Sequence, residues 1–387
     1  MINFGKEFVL QNSVEVPGKA VVMQGYKGDL GNGYDGQIFY FFSRPISNFS
    51  TDWPKGFDES YRAPRIGYPF LIAIFGLFGK KAAVFGMYFI NLSLFICSVF
   101  FLRRMLQDRT QYLLLFYVLS PFSLGSYSVL VSDSVMVSLV IIAYYFYQKQ
   151  KYLYFVLLAS LAILTKEPAL FLFFPLGLKA LWKRNYQQIF WVLAILFIPF
   201  AWHFYLKITF PHWRASRLTD FIVPLEGIMR YLQEIYQAFV SPTVPGLKPL
   251  LRSLSRLPLL LLFLLGIVAT FTGKLTKAFE YRLALLFVFF MVGVASYYHF
   301  WSVYENVSRM FTLSVPLMIF LQNEDDSSHT LPYHFLCFLI LLLFLIKVFF
   351  VQKTQNYSIW SASTIWKSQK SLLVRTNQRR ILKLYEK

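Results

Sequence analysis

Apolar residues run in long stretches along most of this chain, broken by short polar punctuation, and the pattern begins only after about residue 64. Beyond that point hydropathy divides the chain into about ten membrane segments, roughly 84-102, 112-130, 131-147, 152-165, 168-182, 188-206, 257-272, 283-300, 306-321 and 333-351. The longer ones approach what is needed to cross a hydrocarbon core of roughly 30 Å at about 1.5 Å per helical residue. Several are short, with polar breaks at Ser132-Asp133-Ser134 and Lys166-Glu167-Pro168. Polar backbone at membrane depth is tolerated only where it lines a cavity, so these read as hairpins around one. Residues 1-63 are polar, with turn formers at Gly31-Asn32-Gly33 and Asp52-Trp53-Pro54. The run 65-79 is half a span, an interfacial helix, a re-entrant helix or a tilted crossing. The expected fold is all-α, a polytopic transmembrane helix bundle over 84-351. Before it comes an extracytoplasmic loop with an interfacial helix over 1-83, and after it a basic C-terminal tail over 352-387.

Composition agrees: 57% of the 387 residues are hydrophobic and only 15% charged, above the roughly 45–50% apolar share of soluble domains. The net charge of +19 would suggest nucleic acid in a soluble domain. Here Lys and Arg cluster in patches between apolar runs, with no zinc-finger spacing, RNA-binding signature or isolated basic domain, so no nucleic-acid partner is expected. Cys97 and Cys337 sit inside apolar runs and say nothing of redox compartment. The first 33 residues lack the charged and apolar regions of a signal peptide, so insertion is expected to rely on internal helices.

With the N-terminal loop outside the cytosol, the inner connections carry Arg103, Arg104, Arg109, Lys149, Lys151, Lys179, Lys183, Arg184, Lys274, Lys277 and Arg282, and the short outer ones only Lys166 and Arg309. That asymmetry follows the positive-inside rule. Two features dissent: the inner connection 322-330 is acidic, and the basic tail would lie outside. The tail reads equally as an interfacial helix on anionic lipid or as a solvated segment.

The stretch richest in chemistry is Gly33-Tyr34-Asp35-Gly36-Gln37-Ile38-Phe39-Tyr40, followed by Asp58-Glu59-Ser60-Tyr61-Arg62-Ala63-Pro64-Arg65-Ile66-Gly67-Tyr68-Pro69. It resembles the first external loop of bacterial GT-C type membrane glycosyltransferases, which carry a Tyr-Asp-Gly-Gln-aromatic block and then an Asp, Tyr-Arg, Arg-Ile, Tyr-Pro block. The resemblance covers 33-69 and is architectural elsewhere. It implies an inverting, mannosyltransferase-like enzyme at the outer face of a bacterial inner membrane. Such an enzyme takes a hexose from a polyprenyl-phosphate carrier and gives it to a glycan, lipid or protein acceptor. Relatives usually begin with a transmembrane helix before this loop, so a first helix is expected to be missing here.

The residues make chemical sense in that reaction. An inverting transfer needs a carboxylate to take the acceptor proton, which suits Asp35, while Gly36 beside it allows close approach. An Asp between two glycines is also a common turn, the competing reading. Tyr34 belongs to the same block, and Gln37 has an amide to donate to a sugar hydroxyl. The leaving lipid phosphate calls for cations. Arg62 and Arg65 would share one face if the stretch is helical, and Tyr61 lies beside them. Snorkelling at the interface is the alternative for both arginines. Asp58 reads as a second carboxylate or as a helix cap.

Further along, Lys166, Glu167 and Asp133 are ionisable groups next to apolar runs, and Lys166 is the expected phosphate contact, against a simple Lys-Glu helix start. Arg309, opening a late helix, is a candidate to hold the carrier. The five histidines show no zinc spacing. A divalent cation, Mg or Mn, held by Asp35, Asp58 and carrier phosphate, stays open. The competing functions are a transporter or flippase for lipid-linked glycans and a non-catalytic assembly subunit.

Overall fold

The structure, a computed structural model, describes residues 4–18, 20–24, 35–57, 59–210, 223–240, 247–274, 276–325, 328–350 and 356–360. It is all-α apart from one small sheet. Strand β1 (Phe4–Gly5) leads into α1 (Lys6–Gln11), and β2 (Ala20–Gln24) pairs parallel to β1. Helix α2 (Asp35–Ser47) lies under this cap, with Phe4 edge-on to Tyr40 and Phe41 at 5.6 and 5.7 Å between ring centres. Short α3 (Glu59–Arg62) and α4 (Gly67–Gly76) follow.

Helix α5 (Lys80–Met105) turns back from α4 at Gly79, whose φ of 106° suits the residue without a side chain. Its first residue donates to the Val14 carbonyl in the cap, and its last turn carries Arg103 and Arg104, so it runs from the cap end to an opposite, basic end. The chain returns through α6 (Leu114–Val118) and α7 (Pro121–Ser128), the latter capped by Ser120 with Pro121 at its first position. Helix α8 (Ser132–Gln148) then runs beside α5 in the same direction, Ser134 bonded to Asn91 and Tyr145 against Phe101.

Helix α9 (Tyr152–Thr165) returns antiparallel to α8, α10 (Leu170–Trp182) runs back towards the basic end, where Lys179 meets Glu280, and α11 (Tyr186–Ala194) with α12 (Phe197–Thr209) regains the cap end, where Trp202 donates to the Ala63 carbonyl. Helices α13 (Glu226–Val240) and α14 (Leu247–Leu254) stay at that end. There Arg256 is buried on Glu234 and the Trp301 carbonyl. The remainder is α15 (Leu257–Phe271), α16 (Phe279–Val294), α17 (Tyr304–Arg309), α18 (Ser314–Asp325) and α19 (Leu331–Phe350).

Two helices form the centre. From Ser132 to Tyr144 every residue of α8 is buried, as is every residue of α18 from Ser314 to Asn323. Helices apolar all round belong inside, and these two have no face to give to lipid. By contrast α5 exposes Phe85, Phe89, Leu92, Ile96 and Phe100 along one side, an apolar stripe suited to acyl chains.

The expectation of about ten crossings needs correcting. Among the described residues four segments are long and apolar enough to cross a membrane: Lys80–Met105, Asp108–Val129, Tyr186–Thr209 and Leu331–Phe349. The other six expected segments exist as α8, α9, α10, α15, α16 and α18, but they are only 12 to 17 residues long. For two of them the reason is local. Helix α8 begins beside Asp133 and α9 ends at Lys166, so each has an end where it delivers a charge.

The tail also departs from expectation. Strand β3 (Asn356–Trp360) pairs antiparallel with β2, placing the start of that tail in the N-terminal cap. Lys367, Lys370, Arg375, Arg379, Arg380 and Lys383 lie outside the described residues. The acidic connection has a physical account. Asp325 is paired with Arg282 and, at 3.8 Å, Lys277, while Glu324 accepts from Tyr281, so the acids neutralise the basic end from within.

Candidate active site

Asp35 is the first residue of α2, and four elements bring charges to it. From α3, Arg62 places Nη2 3.0 Å from Asp35 Oδ1. From α17, Arg309 places Nη1 and Nη2 at 3.0 and 3.1 Å from Asp35 Oδ2. The same guanidinium sends Nε to Asp133 Oδ2, at 3.0 Å, in the first turn of α8. Asp133 in turn accepts from Lys166, just past α9. The result is a continuous chain of alternating charge, Arg62, Asp35, Arg309, Asp133, Lys166, with three cations to two carboxylates.

Two glycines allow these elements to meet. A Cβ on Gly36 would sit 2.7 Å from the Val129 carbonyl oxygen, so the start of α2 touches the turn that leads into α8. The close approach expected at Gly36 is made with the backbone that leads into α8. At Gly67 a Cβ would meet the Thr165 backbone nitrogen at 2.6 Å, which brings α4 against the end of α9 and Arg65 near Glu167.

Burial differs along the network. Asp133 is only 2% exposed, whereas Asp35, Lys166 and Arg62 are 27%, 21% and 19% exposed, so Asp133 is the sealed member and Asp35 the one most open to solutes. Burial by itself would push the Asp35 carboxyl up, but the charges of Arg62 and Arg309 and their hydrogen bonds outweigh it and hold the group far below the ordinary carboxylate range. At neutral pH Asp35 is ionised.

Depth is the second geometric fact. Ser134 bonds to Asn91, near the middle of the 26-residue α5, so the α8 end carrying Asp133 is level with the centre of that helix. Helix α2 climbs from there towards the hairpin between α4 and α5, where Ser47 donates to Ala73 and Arg44 to Gly76. The charged chain thus lies below a layer formed by α2, α4 and the first half of α5.

Of the residues singled out in the sequence, Asp35, Arg62, Lys166 and Arg309 come together. Arg65 does not join them. Helix α3 ends at Arg62, so the three-residue spacing does not put both arginines on one helical face; Arg65 instead grips Glu167 with Nε at 2.9 and 3.0 Å and stacks on Tyr61 at 4.1 Å. Glu167 and Tyr61 are therefore partners of an arginine beside the site. Gln37 is corrected as well: it is 2% exposed, and its Oε1 accepts from the Gly5 backbone 2.7 Å away, tying α2 to β1. Tyr34 and Asp58 lie outside the described residues. Asp133, singled out in the sequence as an ionisable group beside an apolar run but given no specific role, joins them as the buried partner of Arg309 and Lys166.

The donor set does not fit a divalent cation. Both oxygens of Asp35 and both of Asp133 face guanidinium or ammonium groups, so a metal would enter against positive charge. Among the described residues no group of three or more His, Cys, Asp or Glu could hold one. The arrangement suits an anion instead: cationic donors fanned about a partly open carboxylate. Compared with known proteins, the chain matches no family model, no curated protein and no solved structure.

Proposed function

We propose that the chain is a membrane glycosyltransferase that moves a sugar, a hexose such as mannose, from a polyprenyl-phosphate donor to a hydroxyl on a glycan, lipid or protein acceptor. One observation carries the reading: Asp35, the residue suited to be the base, lies within hydrogen-bond reach of two arginines able to receive the departing phosphate. In the reaction the acceptor oxygen bonds to the anomeric carbon as its proton passes to Asp35. The bond from that carbon to the phosphate oxygen breaks, and its electron pair leaves with the lipid phosphate, where Arg62, Arg309 and Lys166 supply positive charge. The donor's lipid chain accords with the four apolar segments long enough to cross a membrane.

Radiolabelled sugar transfer from defined polyprenyl-phosphate donors, measured on wild type and Asp35→Asn, tests the assignment. General-base catalysis contributes roughly 10²–10⁴-fold, so transfer should fall by at least that while membrane insertion persists. Turnover retained by the variant would remove the base.

A second reading has its own observation. Ionisable groups level with the middle of α5 are what a transporter of lipid-linked glycans would carry. Liposomes holding the purified chain would then translocate the lipid-linked sugar without transferring it.

A further inference from the structure

Resting on the transferase reading, one feature of the site goes beyond it. Asp35 has no oxygen left to itself: Oδ1 accepts from Arg62, and Oδ2 accepts two donors from Arg309. A carboxylate so engaged is a weak base, because each guanidinium stabilises the charge that proton uptake would remove. These two arginines are also the groups placed to grip a phosphate. The same donors cannot saturate both anions at once.

We infer that Asp35 occupies its arginines in place of the donor phosphate, and that arrival of the phosphate is the event that frees the carboxylate to act. Arg309 is the moving part. Its Nε is anchored to Asp133, which Lys166 holds in a fully buried position, so the guanidinium can turn its outer edge from Asp35 towards an incoming anion without losing its root. Arg62, bound to Asp35 through one nitrogen where Arg309 uses two, is the easier contact to release. The exchange is near-balanced, one charge-assisted pair for another, and phosphate gains from bidentate geometry. Donor must then bind before the acceptor can be deprotonated.

The test exploits competition. Full-length protein in nanodiscs is titrated with a polyprenyl monophosphate, with the matching polyprenol as the control lacking charge and inorganic phosphate as the control lacking a chain. Asp35→Asn removes the competitor, so the polyprenyl monophosphate should bind about tenfold tighter, equivalent to about 1.4 kcal/mol, even as transfer is lost. Asp35→Glu, which keeps the charge, should bind like wild type. If inorganic phosphate shows the same gain, the headgroup alone drives the exchange; a gain confined to the lipid form still supports it, with the chain providing the affinity.

Unchanged or weaker binding by Asp35→Asn would overturn the proposal. Should that variant fail to fold, wild-type protein suffices. Carbodiimide labels protonated carboxyls, and the polyprenyl monophosphate should raise the pH at which Asp35 is half labelled, by about one unit or more. Arg62 and Arg309 are the charged groups facing Asp35, and Asp133 and Lys166 act through Arg309. No change in the labelling midpoint would overturn it too. Absence of transfer by the wild type, with the binding gain intact, would instead defeat the transferase reading alone.

Discussion

Asp133 shows what a single residue contributes here. Its side chain is 2% exposed and both its oxygens are engaged, one by Lys166 and one by Arg309. A buried carboxylate that loses a partner keeps its desolvation cost without its compensation, and breaking such a pair costs about 3–5 kcal/mol. Lys166→Met should therefore lower thermal stability markedly. The double variant Asp133→Asn with Lys166→Met should recover much of the loss, because neither charge is then stranded. A double-mutant cycle of unfolding midpoints in detergent reads this directly, and additive losses would show that the pair is not coupled. The cation expected from sequence to touch phosphate thus has a structural task first: it holds the anchor of Arg309.

Among the elements, α2 and α8 decide the geometry. Their close approach passes through Gly36, where a Cβ would press on a backbone carbonyl that has little room to yield. Gly36→Ala should cost about 1–3 kcal/mol of stability, as overpacking does. It should also cut kcat more than it raises KM, since it displaces Asp35 relative to Asp133. Circular dichroism melts and steady-state transfer rates measure the two effects, and unaltered kcat would mean that this contact does not position the base. Element by element, the sequence was legible where patterning speaks loudly: the half-length run at 65-79 is α4, and the polar breaks at 132-134 and 166-168 mark the starts and ends of helices. It was not legible where partners lie far apart in the chain. Nothing near Arg309 announces that it bridges residues 274 and 176 positions away. Nothing near Gln37 says that its amide serves β1 rather than a sugar. Helix length was misjudged for a related reason, since hydropathy sums over a window and does not see that a helix stops early to present a charge.

At the scale of the whole molecule, the two ends of the bundle differ in kind. One carries the cap sheet and α1 to α4; the other carries Arg103, Arg104, Lys183 and Arg184, with Glu280, Glu324 and Asp325 offsetting part of the charge. In the proposed membrane reading, the positive-inside rule assigns the second end to the cytosol. Cysteines placed at exposed Ser50 and exposed Lys183, in a chain with Cys97 replaced by Ala, should label with an impermeant maleimide from opposite sides of intact cells or vesicles. Equal labelling of both from one side would remove the orientation and, with it, an outward-facing Asp35.

The pairing of β2 with β3 carries a consequence for how the molecule is made. Residues 20–24 and 356–360, far apart in the chain, share one sheet, and the side-chain carbonyl of Gln37 fastens α2 to the neighbouring strand. During synthesis that sheet must wait, incomplete, until α19 has been threaded and β3 has come home. A nascent chain would thus hold its earlier helices yet lack a closed cap sheet, leaving one edge of β2 bare until β3 arrives.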